Sequence, residues 1–547
     1  MNSFENNTAT IEKANNIYTL DHIIACVEEV FIKIDGDGDG LSRDRPTRDL
    51  RNAFSMVSPN GKVYFVDKGE TWDLTEIFKS LNGMAHSSKF GVTFIGNDTT
   101  FLNITFVCDS AASSVSVYNF TFKDCKQAII WNAANGLISN CKFINCGNDS
   151  SISSGAALTV NGENFVVKNS LFENNTLTAH DSKGGAIYVD AIKFKLDNCT
   201  FKNNTLSDGL GGHLYLTSNA NNTVITGSRF INATGSAIVI DNVTDVSITD
   251  SSFVENKGVS GAGIYLINGT LSINGVKFTK NTAQQYGGGL YLSNGTVYSM
   301  ESNEFLENTA NYGGAVYSNI ALNIKDSIFN GNIAVYDGGA LYLNCSDNVV
   351  DNVSFTSNKA KRGAGIFTNA DKLTFEDPIT FTRNEASETG VLFFDKDITV
   401  YNNENLVFDG NIVPANALVV AVSEDVKVTT NVLYVSQDGQ GTGFWSNECT
   451  NDINYALENV FANGGKIILN GEYVIDDVIS IIDKNIALVG NSSATIISNN
   501  NKKSLFIPRI TPKLLSMKKV KKVLLIQIIF YHFPSCKNPP FYEFAQQ

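Results

Sequence analysis

Two short motifs alternate along roughly three hundred residues of this chain, and no other feature restricts its fold as strongly. The first is Phe-x-x-Asn. It occurs at Phe172/Asn175, Phe201/Asn204, Phe253/Asn256, Phe278/Asn281, Phe305/Asn308, Phe329/Asn332, Phe355/Asn358, Phe381/Asn384 and Phe408/Asn411, with degenerate copies at Phe122, Phe143 and Phe230. The second is a small-residue pair followed by a short apolar run, as in Gly184-Gly185-Ala186-Ile187-Tyr188, Gly287-Gly288-Gly289-Leu290-Tyr291 and Gly338-Gly339-Ala340-Leu341-Tyr342. With Val239 as the marker of a weak copy, successive intervals from Tyr188 to Phe393 are 27, 24, 26, 26, 26, 25, 25 and 26 residues.

A period near 26 residues excludes a single compact core and calls for stacked units. Helical solenoids need two amphipathic helices per unit, whereas each period here holds two breaks rich in Gly or Asn and runs such as Val246-Ser247-Ile248 and Leu271-Ser272-Ile273. The expectation is an all-β fold, a right-handed parallel β-helix with three short strands and three turns per coil. Neighbouring coils stack at about 4.8 Å, so twelve Phe-marked coils form a rod on the order of 55 Å long.

Alternation in Ala186-Ile187-Tyr188-Val189 places Ile187 and Val189 inward and Tyr188 outward. Phe residues fill the core, Gly pairs permit a left-handed backbone or close approach at one corner, and Asn forms an amide ladder at another while tolerating a left-handed conformation.

Gly-Gly-Ala-Ile alternating with Phe-x-x-Asn resembles the paired repeats of chlamydial polymorphic outer-membrane proteins. The Asn-rich, aliphatic setting resembles adhesin-like surface proteins of methanogenic archaea still more closely. The resemblance covers roughly residues 90–430 and implies an exported or surface-displayed, pectin-lyase-like β-helix passenger. The chain departs from that pattern in showing neither a basic, apolar leader nor a C-terminal translocator or anchor.

Five regions are expected: a partly helical N-terminal segment with an acidic Gly/Asp loop (1–55), a cap region (56–90), the β-helix (91–430), the start of a second pectin-lyase-like β-helix (431–501) and a basic, disordered tail (502–547). The second start shows a helical stretch from Asn451 to Phe461 followed by Gly464-Gly465-Lys466-Ile467-Ile468-Leu469. Val57-Ser58-Pro59-Asn60-Gly61, a helical stretch from Asp73 to Leu81 and Val92-Thr93-Phe94-Ile95-Gly96 read as a diverged earlier copy. The tail carries nine Lys/Arg against Glu543; with the whole chain at −14, residues 1–501 sum to −22 and the tail to +8, a break that reads as truncation or a change of frame.

Charged residues are 18% of the chain and no basic stripe crosses the repeats, which argues against nucleic acid as a partner. The apolar run Val523 to Tyr531 is too short to span a membrane. An enzyme on this fold would need clustered carboxylates with Arg or Lys in one groove. The available groups, Asp476-Asp477, Lys361-Arg362 and His213, read better as solvated turns and a tolerated strand substitution, so no catalytic residue is assigned. A non-catalytic adhesin is expected, with a polysaccharide lyase or hydrolase as the alternative.

Four further features have two readings each. Tyr188, Tyr215, Tyr265, Tyr291, Tyr317 and Tyr342, extended by Phe367 and Phe393, form an outward stripe that either binds glycans or surface proteins of host or neighbouring cells or stabilises the sheet by stacking. Asp35, Asp37 and Asp39 match the first half of a calcium loop, making calcium the one cofactor to consider, but Pro46 stands where the twelfth-position Glu belongs, so a flexible acidic loop is the alternative. Cys125 and Cys146 occupy the Asn position of successive coils, as a disulfide or as two buried thiols. Sequons at Asn103, Asn242 and Asn268 permit glycosylation without indicating it.

Overall fold

A computed structural model describes residues 26–73, 84–147, 149–475, 479–482, 484–490, 495–498, 506–510 and 513–514. The chain winds into a right-handed parallel β-helix of about 17 turns. Among the described residues every pairing of named strands is parallel except that of Phe506–Ile510 with Lys513–Leu514. The coil that starts at residue 277 shows the plan: strands Lys277–Thr279, Thr282–Tyr286, Leu290–Leu292 and Thr296–Glu301. This coil thus has four short strands rather than three, because the stretch between the Asn corner and the Gly corner pairs into a sheet of its own; other coils hold from two to five.

Register is in step at the Phe position, while bulges shift it elsewhere, as between Asp241 and Val246. Phe278 pairs with Phe253 before it and Phe305 after it. From Phe143 to Phe408 the rings of consecutive coils stack with centroids 4.6–5.2 Å apart and interplanar angles of 1–14°. Trp72 pairs with Phe101 and Phe101 with Phe122, so the Phe position continues below the recognisable repeats.

Beside this stack runs the amide ladder. Asn308 Nδ2 donates to Asn332 Oδ1 at 3.0 Å and to the Phe278 carbonyl at 2.9 Å, while its Oδ1 accepts from the Asn281 backbone N–H and Nδ2 at 3.0 and 2.9 Å. Both donors and both lone pairs are used, which a fully buried amide needs. The ladder Asn is not the left-handed residue, contrary to expectation. Positive φ falls one residue earlier, at Asn174, Asn203, Glu255, Lys280, Glu307, Ser357 and Arg383. That position carries the turn, so the Asn side chain is free to point inward.

At the Gly corner the first Gly is left-handed, as at Gly313 with φ 63°, and the second abuts the next coil. A Cβ on Gly314 would lie 2.2 Å from the Gly339 carbonyl oxygen, so no side chain fits there.

The stack begins earlier than the repeats do. Val27–Ile32 pairs with Val57–Phe65, and helix α1 (Leu50–Met56) buries Leu50 and Ala53 in the same core that continues to Phe444. Residues 27–73 and 84–90 therefore contribute to the rod rather than preceding it. The helix expected over 73–81 lies, from residue 74 onward, outside the described residues, as do Asp476 and Asp477 and most of the tail. A second core forms around Val432–Val435, Asn463–Leu469, Asn485–Gly490 and helix α2 (Ile453–Asn459), which Asp452 caps by accepting from the Asn454 and Tyr455 N–H groups.

Candidate functional site

The strands Leu290–Leu292, Val316–Ser318 and Leu341–Leu343 bury their first residues and turn Tyr291, Tyr317 and Tyr342 outward, as alternation requires. Along the axis Tyr265–Tyr291, Tyr291–Tyr317 and Tyr317–Tyr342 stand 5.1, 5.6 and 4.5 Å apart. Tyr342 then stacks on Phe367 at 4.7 Å and Phe367 on Phe393 at 5.3 Å.

The row is not continuous. Tyr188 and Tyr215 stack at 6.0 Å, but Val239 separates them from Tyr265. Tyr215 is also 1% exposed: Lys183 lies 4.7 Å over its ring, and its hydroxyl donates to Asp241 at 2.5 Å. Tyr215 thus faces outward without being accessible.

A second row, absent from the sequence reading, covers the first. Tyr286, Tyr312 and Tyr336 sit one or two residues before the Gly corner of their coils. Tyr286 approaches Tyr291 at 5.4 Å and Tyr317 at 4.7 Å, and Tyr312 meets Tyr342 edge-on at 5.9 Å and 89°. Tyr312 and Tyr336 stack at 5.1 Å. The signal was available in the 26- and 24-residue spacing of these tyrosines, hidden because the third is displaced by one position.

Higher up, Arg362 takes the covering role. Its guanidinium lies 5.0 Å from both the Phe367 and Phe393 rings, and Nε and Nη2 form a bidentate pair with Asp337 at 2.8 and 2.9 Å. Asp395 stands 3.7 Å from Nη1. Lys361-Arg362 is therefore part of this edge rather than a bare solvated turn.

Because the rings cover one another, what the edge offers outward is largely ring edges and hydroxyls. Those of Tyr265, Tyr286, Tyr291, Tyr312, Tyr317 and Tyr336 have no hydrogen-bond partner among the described residues, whereas that of Tyr342 accepts from Asn369 Nδ2 at 3.0 Å. Burial pushes the Tyr317 hydroxyl up from its ordinary value and that of Tyr342 up to about 12, so both stay neutral and able to donate at physiological pH.

The three aspartates of the acidic loop do not gather. Asp35 pairs with Lys33 at 3.1 Å and Asp39 with Arg45 at 3.0 Å. The carboxylates that approach one another are Asp35, Asp67 and Glu70, with Lys33 also 3.2 Å from Asp67. The glycines explain the motif: a Cβ on Gly36 would lie 2.5 Å from the Pro46 carbonyl oxygen, and one on Gly38 2.3 Å from that of Arg45. The loop is thus an ordered hairpin in which every second residue must be Gly. His180, Asp181 and Asp208 form another exposed group of possible metal ligands among the described residues.

Cys125 and Cys146 are free thiols at successive corners of the same column, where Gly147 N–H donates to the Cys125 carbonyl at 2.8 Å. The Cys146 N–H donates to Asn175 Oδ1 at 2.9 Å, so the pair forms the foot of the amide ladder. Burial raises the Cys146 thiol.

His213 repairs that ladder. The next amide column position after Asn204 is Ala233, and Asn204 Nδ2 finds His213 Nδ1 at 3.0 Å instead. The imidazole is fully buried beside the stacked Phe201 and Phe230 rings, with Nε2 unpartnered, and burial lowers its pKa to about 3.

A family model described as a right handed beta helix region matches residues 170–305. A transmembrane domain-containing protein of Dictyostelium discoideum is 29% identical over 140 residues, 23% of this chain and 8% of that protein's length. No helix among the described residues is long and apolar enough to cross a membrane. Solved structures with a similar course include an alginate lyase of family PL6 (13% identity, 86% of this chain, 68% of that chain, TM-score 0.32). Others are the catalytic domain of a GH87 α-1,3-glucanase (9%, 76%, 70%, 0.35) and PfbA, a surface adhesin of Streptococcus pneumoniae (12%, 73%, 92%, 0.24). Adhesins and polysaccharide-cleaving enzymes both occur among them, and at these scores none assigns an activity to this chain.

Proposed function

We propose that this chain is a non-catalytic, adhesin-like rod of the cell surface or extracellular space, holding glycans or surface proteins of host or neighbouring cells along its tyrosine-lined edge. The observation that supports this reading is the cluster of six tyrosines with unengaged hydroxyls over four successive coils, Tyr265, Tyr286, Tyr291, Tyr312, Tyr317 and Tyr336. Tyrosine offers a large amphipathic contact at small entropic cost, and a rigid stack holds such contacts in place before a ligand arrives. Since the ring faces are mutually covered, contact runs through hydroxyls and ring edges rather than through rings laid flat on sugars.

Replacing Tyr286, Tyr312 and Tyr336 together by Phe keeps the rings and removes the hydroxyls; replacing them by Ser removes both. Binding to glycan arrays and to whole cells is expected to fall at least tenfold in the Phe variant and further in the Ser variant. Unchanged binding in both would reject this edge as the site.

A second reading, a carbohydrate-active enzyme, has one observation in its favour: Arg362, Asp337 and Asp395 lie together beside Tyr342 and the two Phe rings. The two Phe rings lie on one side of that guanidinium and its Nε and Nη2 are held by Asp337, which leaves few of its donors to meet a substrate. Release of reducing or unsaturated sugars from alginates, pectins or glucans, lost in Arg362→Gln, would establish this reading instead.

A further inference from the structure

The acidic loop and the start of the second β-helix are one structural module present twice, 403 residues apart. Lys33 N–H donates to the Thr47 carbonyl as Ser436 N–H does to Thr450, Gly38 to Pro46 as Gly441 to Cys449, and Gly40 to Arg45 as Gly443 to Glu448. Thr47 and Thr450 return their N–H groups to Phe31 and Tyr434. Asp49 and Asp452 then cap α1 and α2. The three glycines recur at Gly439, Gly441 and Gly443, the first two with backbone oxygens 2.4 and 2.3 Å from where a Cβ would be. Of the expected calcium ligands only Asp35 has an acidic counterpart, Asp438; Gln440 and Thr442 replace the others.

The second copy shows what the outer side of this module does. Its Glu448 carboxylate accepts the Val419 and Val420 N–H groups, the edge of the last coil of the first rod. Phe444 packs on Phe394 at 5.5 Å and Trp445 on Phe408 at 5.0 Å, closing the end of the Phe stack. Asn403 Nδ2 donates to the Phe444 carbonyl at 3.0 Å. The module thus starts one β-helix and seals the one before it.

In the first copy the matching positions are Leu41, Ser42 and Arg45, and Leu41 and Ile34 are 44% and 45% exposed. From this equivalence we infer that the outer face of residues 34–45 is an end-docking surface whose occupant is the C-terminal coil of another β-helix, stacked head to tail. A coil edge offers carbonyls as well as N–H groups, and Arg45, a donor where Glu448 is an acceptor, selects the carbonyls.

The full chain supplies its own probe. Phe444→Asp with Glu448→Lys unseats the second copy and opens the end of the first rod, which faster amide exchange at Val419 and Val420 reports. This opened chain is expected to form head-to-tail oligomers with masses in multiples of 59.4 kDa by light scattering, while the parent chain stays monomeric. Adding the surface changes Ile34→Asp and Leu41→Asp should return it to a monomer; adding Arg45→Glu, which restores the acceptor, should lower the concentration needed for assembly several-fold. Oligomers indifferent to Leu41→Asp, or none despite fast exchange at Val419 and Val420, would overturn the inference. So would a cross-link within one chain from a Cys at position 41 to residues 1–25, which would make the chain's own N-terminal segment the occupant.

Discussion

Two aromatic seams follow the axis of this rod, a continuous one inside and an interrupted one on its edge, and they obey different rules. Inside, Phe rings keep interplanar angles of 1–14°, and the ladder amides between Asn256 and Asn411 all bond at 2.9–3.0 Å. On the edge, the tyrosine contacts range from 9° to 89°. Full burial leaves one solution per coil, because every donor must find its acceptor without water. Partial exposure lets each ring settle against whichever neighbour the coil length supplies.

That contrast predicts unequal costs. Asn308→Leu conserves volume but leaves the Asn281 N–H and one Nδ2 hydrogen without an acceptor and takes one of two donors from the Phe278 carbonyl, and is expected to destabilise the rod by about 4 kcal/mol. Denaturant unfolding checks this, with hydrogen exchange to show whether the loss stays within adjacent coils, as nearest-neighbour stacking implies. An effect below about 1 kcal/mol would erase the distinction between the seams.

His213→Ala should cost about 2 kcal/mol, by opening a cavity and orphaning the Asn204 amide donor. Ala233→Asn in the same chain should recover much of the loss by restoring the missing rung. The pH dependence follows from the lowered imidazole pKa of about 3. Between the ordinary value near 6.5 and that value the unfolded chain binds a proton that the folded chain does not, so stability falls as pH drops below about 6.5. His213→Ala should remove that contribution, and melting curves at pH 7 and pH 4.5 would show whether it does.

On the edge, Tyr317→Ser is expected to cost about 1 kcal/mol, since ring contact is lost where water can follow. Tyr336→Ser, at a 41% exposed position, should stay within about 0.5 kcal/mol while still weakening ligand binding. A Tyr336 effect on stability as large as that of Tyr317 would mean the outer row is structural only.

How far these features could be read from the residues follows the same division. The Phe stack, the inward Ile187 and Val189, and the Gly corner were legible because each coil repeats them. Trp72 lies in the same stack but lacks the Asn and Gly-pair signature, so the coil that holds it reads from sequence as a separate cap. The role of His213 was illegible, since it compensates for Ala233 twenty residues away and one coil up. The Asp-Gly alternation reads as half a calcium loop or, with Pro46 at the twelfth position, as an acidic loop; that Gly36 and Gly38 lie against the backbone of residues 45–47 has no signature in the sequence.

The repeats alone thus determined a parallel β-helix with a Phe and Asn interior, because a column of identical groups stacked about 4.8 Å apart either satisfies every rung or none. Tertiary structure decided which outward tyrosines remain reachable, that three of their neighbours cover them, and that a glycine-rich loop closes the end of a rod. Each of those depends on contacts between residues with no fixed spacing, where coil length and the placement of one neighbour, rather than periodicity, set the outcome.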